Sequence, residues 1–323
     1  MRIFITGGAG FIGSNFIHYL LAKYPNDEVV NFDKLTYAGN LENLKDLHDN
    51  PRYSFVRGDI CDSRAVLEVM EGADVAVNFA AESHVDRSIT GPAEFIETNV
   101  SGTQVILEAV KEMRIGRLLH ISTDEVYGSI PEGSFKEGDP LDPSSPYSAS
   151  KASADLLCHA YFATFKLPVI ISRSSNNFGP FQYPEKMVPL FVTNALEGIS
   201  LPVYGDGLNV RDWTYVEDNC AALDLILREG AVGEVYNVGA GNEVPNIELT
   251  KRILKLVGKD ESLITYVTDR PGHDRRYSID SSKVRSLGWA PEHDFEEALR
   301  LTVDWYINNE WWWRKLKQPK GQL

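Results

Sequence analysis

Cysteine is scarce in this chain of 323 residues: Cys61, Cys158 and Cys220 stand far apart, with no paired spacing. That pattern excludes a disulfide framework and a cysteine-based zinc site, and it suits a reducing, cytoplasmic setting. Long apolar runs are missing too. No stretch approaches the roughly 18 residues that a membrane span requires, and Met1-Arg2 leads straight into a strand pattern, which leaves no room for a signal peptide. Basic charge is in short supply. Lys and Arg total 32 against 46 Asp and Glu, a net charge of -14, which argues against nucleic acid or an anionic membrane as a partner. An anionic small ligand would need arginines gathered locally. The remainder, 43% hydrophobic and 24% charged, is an ordinary globular composition, long enough for one large domain or a large and a small one.

The N-terminal residues are rich in what the whole lacks, namely clear local pattern. Arg2 to Thr6 reads as a strand, Gly7-Gly8-Ala9-Gly10-Phe11-Ile12-Gly13 as a tight turn, and Phe11 to Lys23 as an apolar-striped helix. Glycine at 7, 10 and 13 lets the backbone turn, approach a pyrophosphate and pack helix on strand, while the helix N-terminus offers free N–H groups to phosphate. A second strand, Val29 to Phe32, closes on Asp33. An acid there takes ribose hydroxyls and repels a 2′-phosphate, so NAD is favoured over NADP. Tyr53 to Arg57 is a third strand ending at Gly58-Asp59-Ile60, where Asp59 is either an adenine acceptor or a helix N-cap. Asp74 to Phe79 is a fourth, followed by the small residues Ala80 and Ala81, against which a cofactor can lie. His84 and Asp86 have no third partner at metal-ligand spacing, so solvated or capping roles are expected. Pro92 to Met113 reads as one long helix carrying Thr98.

The chemistry-bearing stretch is His120 to Gly128, read with Tyr147 to Lys151. Arg117 to Ile121 has the pattern of a buried parallel strand, which places Ser122, Thr123, Asp124 and Glu125 at its carboxyl end, where open α/β sheets hold their ligands. Tyr147 and Lys151 are four apart at the start of a helix and share one face. The lysine cation can favour loss of the phenolic proton. Two adjacent carboxyls beside such a pair suggest more proton transfers than a simple oxidation needs. After the strand Pro168 to Ser172, Asn176 and Asn177 are either turn formers or polar readers of a ligand.

Strand then helix, repeated to about this point, implies an α/β, Rossmann-like doubly wound parallel sheet over 1–180. The rhythm then breaks into a smaller C-terminal α/β unit over 181–323, with later segments expected to return to the sheet. Arg211, Arg270, Arg275 and Arg276 cluster in this part. Guanidinium forks suit phosphate oxygens, and ion pairing with Asp269, Asp274 and Asp280 is the alternative. Trp311-Trp312-Trp313 is assigned no chemistry.

These motifs together resemble the extended short-chain dehydrogenase/reductases over nearly the full length. The residues concerned are Gly7 to Gly13, Leu35 to Asn40, Ala80 to Ser88, Ser122 to Gly128, Tyr147 to Lys151, Asn176 to Pro180, Glu185-Lys186, Arg211 to Trp213 and Asp269 to Tyr277. Thr123-Asp124-Glu125 is similar to the pattern of the nucleotide-sugar 4,6-dehydratases. The resemblance implies NAD as cofactor, dTDP-glucose as substrate, a homodimer, and a lyase reaction in three parts. Tyr147, aided by Lys151 and Thr123, takes the proton of the sugar 4-hydroxyl as carbon 4 is oxidised. Glu125 takes the carbon 5 proton while Asp124 protonates the departing 6-hydroxyl, and carbon 6 is then reduced. The implied cofactor contacts are Gly7, Gly10, Phe11, Ile12, Gly13, Asp33, Lys34, Leu35, Thr36, Asp59, Ile60, Phe79, Ala80, Ala81, Ser83, Thr98, Tyr147, Lys151 and Asn177. The implied substrate contacts are Ser83, Thr123, Asn176, Lys186, Met187, Pro202, Tyr204, Arg211, Asn242, Asp269, Arg270, Pro271, Gly272 and His273. A nucleotide-sugar 4-epimerase or decarboxylase shares everything except a need for paired carboxyls. A noncatalytic NAD-binding scaffold would need neither them nor Tyr147 and Lys151.

Overall fold

A computed structural model of the chain describes residues 1–317. Six strands in succession, β1 (Arg2–Thr6), β2 (Glu28–Asp33), β3 (Tyr53–Arg57), β4 (Val75–Asn78), β5 (Arg117–Thr123) and β6 (Val169–Ser174), all run parallel. Three shorter strands follow: β7 (Asn176–Phe178), β8 (Leu201–Tyr204) and β9 (Val210–Tyr215). β10 (Val235–Val238) then returns to pair with β6, completing a seven-stranded sheet of order β10-β6-β5-β4-β1-β2-β3. β11 (Glu243–Pro245) joins β9 and β7, and β12 (Ile264–Val267) pairs with β8.

The alternation within each strand explains the layers. Ile3 and Ile5 of β1 face one side and Phe4 the other, all fully buried. One side packs against helices Phe11–Lys23 and Val216–Glu229, the other against Ser63–Met70, Thr103–Met113 and Pro146–Phe165. Helices on both faces force strands apolar on both sides, which is why β1, β4 and β5 read as near-continuous hydrophobic runs. The chain moves from β1 to β2 and β3 on one side and to β4 on the other, so the strand order reverses between β1 and β4. Their carboxyl ends open the crevice where such sheets bind ligands.

The expected long helix over 92–113 is interrupted. Pro92–Phe95 is α-helical, Ile96–Gly102 widens into a π-helix, and the α-helix resumes at Thr103. Nothing in the apolar spacing reveals this widening, because the residues on either side keep helical period. The tryptophan run divides by burial. Trp312 and Trp313 are in the core, where Trp312 Nε1 donates to Asn43 Oδ1 at 2.8 Å and Trp313 Nε1 to the Tyr306 carbonyl at 2.8 Å, whereas Trp311 is 45% exposed. Trp313→Ala is therefore expected to cost about 3 kcal/mol or more of folding stability, and Trp311→Ala less than about 1 kcal/mol. Urea titrations of the two variants check this; equal losses would contradict the division.

Candidate active site

The glycine turn is built for close approach. Gly7 has φ +67°, and a side chain on it would put Cβ 2.6 Å from the Ala80 backbone nitrogen. At Gly13 a Cβ would lie 2.4 Å from the Gly7 carbonyl oxygen. The loops after β1 and β4 thus meet without side chains between them, and the helix starts directly on the turn. Gly10 caps that helix without any side-chain acceptor, so the first-turn N–H groups are left for a ligand. Asp33, at the end of β2, is buried and accepts from Ala9 N at 2.9 Å and Leu35 N at 2.8 Å. A buried acid at that position, beside free helix N–H groups and a cradle of backbone, fits a dinucleotide.

One cleft gathers nearly all the residues expected around the cofactor: Gly7, Gly10, Phe11, Ile12, Gly13, Asp33, Lys34, Thr36, Asp59, Ile60, Phe79, Ala80, Ala81, Ser83, Thr98, Tyr147 and Lys151. Leu35 and Asn177 do not line it. Leu35 takes a left-handed backbone (φ +56°) to give its N–H to Asp33, and Asn177 Nδ2 donates to the Ser175 carbonyl. Asp59 is not the cap of the following helix, a place taken by Asp62; it pairs with Lys34 at 2.6 Å instead. Asn99, in the π segment, accepts from Glu82 N and donates to the Glu82 carbonyl, both at 2.9 Å, and so fixes the loop after β4. π-bulges recur at functional sites for this kind of re-aiming, and here Thr98 on the same segment reaches the cleft.

A second cleft adjoins the first and shares Glu185 and Lys186 with it. Its walls include Glu125, Asn176, Lys186, Met187, Pro202, Tyr204, Arg211, Arg270 and His273. Ser83 lies in the first cleft; Thr123, Asn242, Asp269, Pro271 and Gly272 line neither. Asn242 is engaged in the turn between β10 and β11, donating to the Trp213 carbonyl and to Asp212. Asp269 Oδ1 lies 2.6 Å from His273 Nδ1 and orients that ring. The arginine cluster splits: Arg275 pairs with Asp206 and Arg276 with Glu243, outside the cleft, while Arg211 and Arg270 line it. Apolar and aromatic walls from Leu190, Phe191, Val203, Trp213 and Tyr277 complete the second cleft. Apolar residues scattered over four segments, with only Leu190 and Phe191 adjacent, leave no motif, so the sequence offers no signal for them. His84 caps the helix Val85–Thr90, accepting from Arg87 N.

The reactive groups divide between the clefts: Tyr147 and Lys151 line the first and Glu125 the second, while Asp124, buried next to Glu125, lines neither. Ser145 and Ser148 form a reciprocal capping box and Pro146 occupies the first turn, fixing the start of helix Pro146–Phe165 and the shared face of Tyr147 and Lys151. Lys151 Nζ donates to the Ile121 carbonyl at 2.7 Å, at the end of β5. Burial, followed by the Glu125 and Asp124 carboxyls, pushes the Tyr147 phenol well up, and only hydrogen bonding to Thr123 opposes this. Before ligands arrive the phenol is therefore held protonated, despite its lysine neighbour. Thr123 caps the short turn Asp124–Tyr127, accepting from Glu125 N at 3.3 Å.

The two carboxyls differ. Asp124 is buried, its Oδ2 has no partner, and burial and Glu125 push it well above the usual carboxylate range. Glu125 is raised by burial as well, but Arg270, Lys186 and Arg211 pull it back. A buried carboxyl with a partnerless oxygen, beside one that faces three cations, can supply a proton donor and a proton acceptor respectively.

The glycine turn at a strand switch point and the Tyr147/Lys151 helix against β5 define a Rossmann-type dinucleotide-binding fold of the extended short-chain dehydrogenase/reductase class. Residues 4–302 match the family model described as GDP-mannose 4,6 dehydratase, and the chain belongs to that family. It is 56% identical to the low-salt glycan biosynthesis protein Agl12 of Haloferax volcanii, over 96% of this chain and 100% of that protein. It is 51% identical to a dTDP-glucose 4,6-dehydratase of Streptomyces niveus, over 99% of this chain and 96% of that one. The crystal structure of DesIV, a dTDP-glucose 4,6-dehydratase from Streptomyces venezuelae solved with NAD bound, superposes with a TM-score of 0.97 at 52% identity, covering 98% of this chain and 100% of that chain.

Proposed function

We infer that the protein is an NAD-dependent lyase that converts dTDP-glucose to dTDP-4-keto-6-deoxyglucose with loss of water. The observation that carries this reading is the adjacent carboxyl pair Asp124 and Glu125 within electrostatic reach of Tyr147, with Glu125 on the wall of the second cleft beside Lys186, Arg211 and Arg270. An epimerase oxidises and reduces carbon 4 alone and has no use for it.

NAD held in the first cleft would supply the hydride acceptor for carbon 4 and the donor for carbon 6. The chain does the rest. Glycines 7, 10 and 13 and the helix N-terminus hold the pyrophosphate, and Asp33 the adenosine ribose. Arg211 and Arg270 face the diphosphate of the sugar nucleotide. Tyr147 takes the 4-hydroxyl proton. Glu125 removes the carbon 5 proton, which the new 4-ketone has acidified, and Asp124 protonates the 6-hydroxyl so that it leaves as water. Glu125 returns its proton to carbon 5 at the end. The proton that Tyr147 gained and the one that Asp124 gave are exchanged through solvent, so the cycle closes.

Residues 1–180, with β10 added, form the cofactor unit in this reading, and 181–317 mainly the substrate unit, the end of the expected 181–323 lying outside the described residues. A homodimer is supported by apolar side chains left exposed on neighbouring segments, Ile96 and Leu156 among them. A cytoplasmic location is supported by three cysteines that are all unpaired.

Incubation of the purified protein with dTDP-glucose and with UDP-glucose, followed by mass spectrometry, tests the reading. Loss of one water with no added cofactor is expected, the dTDP sugar reacting faster. An unchanged mass with an isomerised sugar would replace dehydratase by epimerase, and no turnover would leave the scaffold. NAD is expected to bind more tightly than NADP by about 2 kcal/mol. A phosphate about 4 Å from the Asp33 carboxylate is repelled by about 4 kcal/mol at intermediate dielectric, roughly halved here for salt screening. Equal affinities in calorimetry would remove Asp33 from the ribose site.

A further inference from the structure

The catalytic groups come from two separate elements. Tyr147 and Lys151 ride on helix Pro146–Phe165, and Asp124 and Glu125 on the short turn Asp124–Tyr127 after β5. Their apolar contact is small: a satellite cluster of Val126, Tyr127, Ala152 and Ile279, with Phe135 and Leu141 at its edge. A chain of buried polar groups joins them instead. Arg173, on β6, donates through Nε to Asp155 Oδ2 at 2.8 Å and through Nη1 to the Tyr127 hydroxyl at 2.7 Å. The Tyr127 hydroxyl in turn donates to Asn237 Oδ1 at 2.8 Å. Asp155 lies one helical turn beyond Lys151 on the same face, and Tyr127 closes the turn that begins with Asp124. All four groups are at most 5% exposed.

We propose that Arg173 and Tyr127 are positioning residues. The brace Asp155–Arg173–Tyr127–Asn237 sets the carboxyl-bearing turn against the Tyr147/Lys151 helix, so that a ketone formed at one is presented in register to the acid and base on the other. This inference rests on the dehydratase reading above. A buried ion pair alone would be ordinary structural economy. Here the guanidinium spans the two elements whose relative placement the second half of the reaction needs most, since Tyr147 and Lys151, the main groups of the first half, share one helix whereas Asp124 and Glu125 ride on the turn. Removing the Tyr127 hydroxyl would leave Arg173 Nη1 with only the Glu137 carbonyl at 3.4 Å and Asn237 Oδ1 bare. Half-satisfied buried networks rearrange, and a misplacement near 1 Å costs about 10²-fold in rate.

The test is Tyr127→Phe in the full-length protein with its cofactor, assayed in single turnover with dTDP-glucose. The variant is expected to bind the sugar nucleotide as the wild type does and to oxidise carbon 4 within about twofold of its rate. Elimination is expected to slow by about tenfold or more, so that reduced cofactor builds up. Exchange of the carbon 5 proton with deuterated water, which reads Glu125 directly, should slow alongside it. Arg173→Lys keeps the charge but cannot fork to both partners, and it should give the same split. If oxidation and elimination slow together, or neither changes, the brace does not position the turn. If the wild type itself releases no dehydrated product, the functional reading falls first and this inference with it.

Discussion

Tyr147→Phe is expected to lower the rate of carbon 4 oxidation by about 10³-fold, within the range for a general base, while leaving affinity for the nucleotide sugar nearly unchanged. The structure sharpens the reason. Lys151 shares a face with Tyr147, yet its ammonium is committed to the Ile121 carbonyl, and burial together with Glu125 and Asp124 holds the phenol protonated. Neighbouring positive charge favours the phenolate, and the cleft that Tyr147 and Lys151 line is the one read here as the cofactor site. The phenylalanine ring fills the same space among Val85 and Phe95, so folding should survive. Rapid mixing with dTDP-glucose, following the absorbance of reduced cofactor, measures the step. Oxidation at the wild-type rate in the variant would take Tyr147 out of the proton path.

Legibility in the sequence followed locality. The glycine turn, Asp33 and the strands β1 to β6 were readable because each is a contiguous pattern with a physical cause: backbone closeness, an acid ending a strand, side chains buried on both faces. The same holds for Tyr147 and Lys151, whose spacing fixes a shared helix face. Apart from its arginines and Asn176, the second cleft was readable only through resemblance. Met187, Pro202, Arg211 and Arg270 lie on four different elements, and no short-range period links them. Its apolar wall, with Trp213 and Tyr277, and the bridge from the Tyr37 hydroxyl to Glu185 Oε1 at 2.7 Å belong to the same kind. The π-helical widening at Ile96–Gly102 and the Arg173 brace had no signal at all. For Lys151, helix spacing gives the face shared with Tyr147 and not the partner that a long side chain selects, here the Ile121 carbonyl.

The carboxyl pair gives the other large expected effect. Asp124→Asn and Glu125→Gln should each reduce dehydration by about 10² to 10⁴, the scale for removing a general acid or base, and each should leave oxidation at carbon 4 running. Reduced cofactor then accumulates on the enzyme, the opposite outcome to Tyr147→Phe. The pH profile separates the two roles further. Glu125 must be unprotonated to act as base, and burial raises it above its ordinary value of 4.5, so elimination should fail as the pH drops through a value above that figure. Asp124 must be protonated to act as acid. Burial and Glu125 hold it well above 3.8, so elimination should also fail as the pH rises through its elevated value, giving a bell whose limbs belong to the coupled pair. Arg211 is one of three cations holding Glu125 down. Arg211→Ala should therefore move the acidic limb upward in pH, besides weakening substrate binding. Full dehydration rates in both carboxyl variants, or a flat profile across both limbs, would leave the 4,6-dehydratase chemistry without its acid and base.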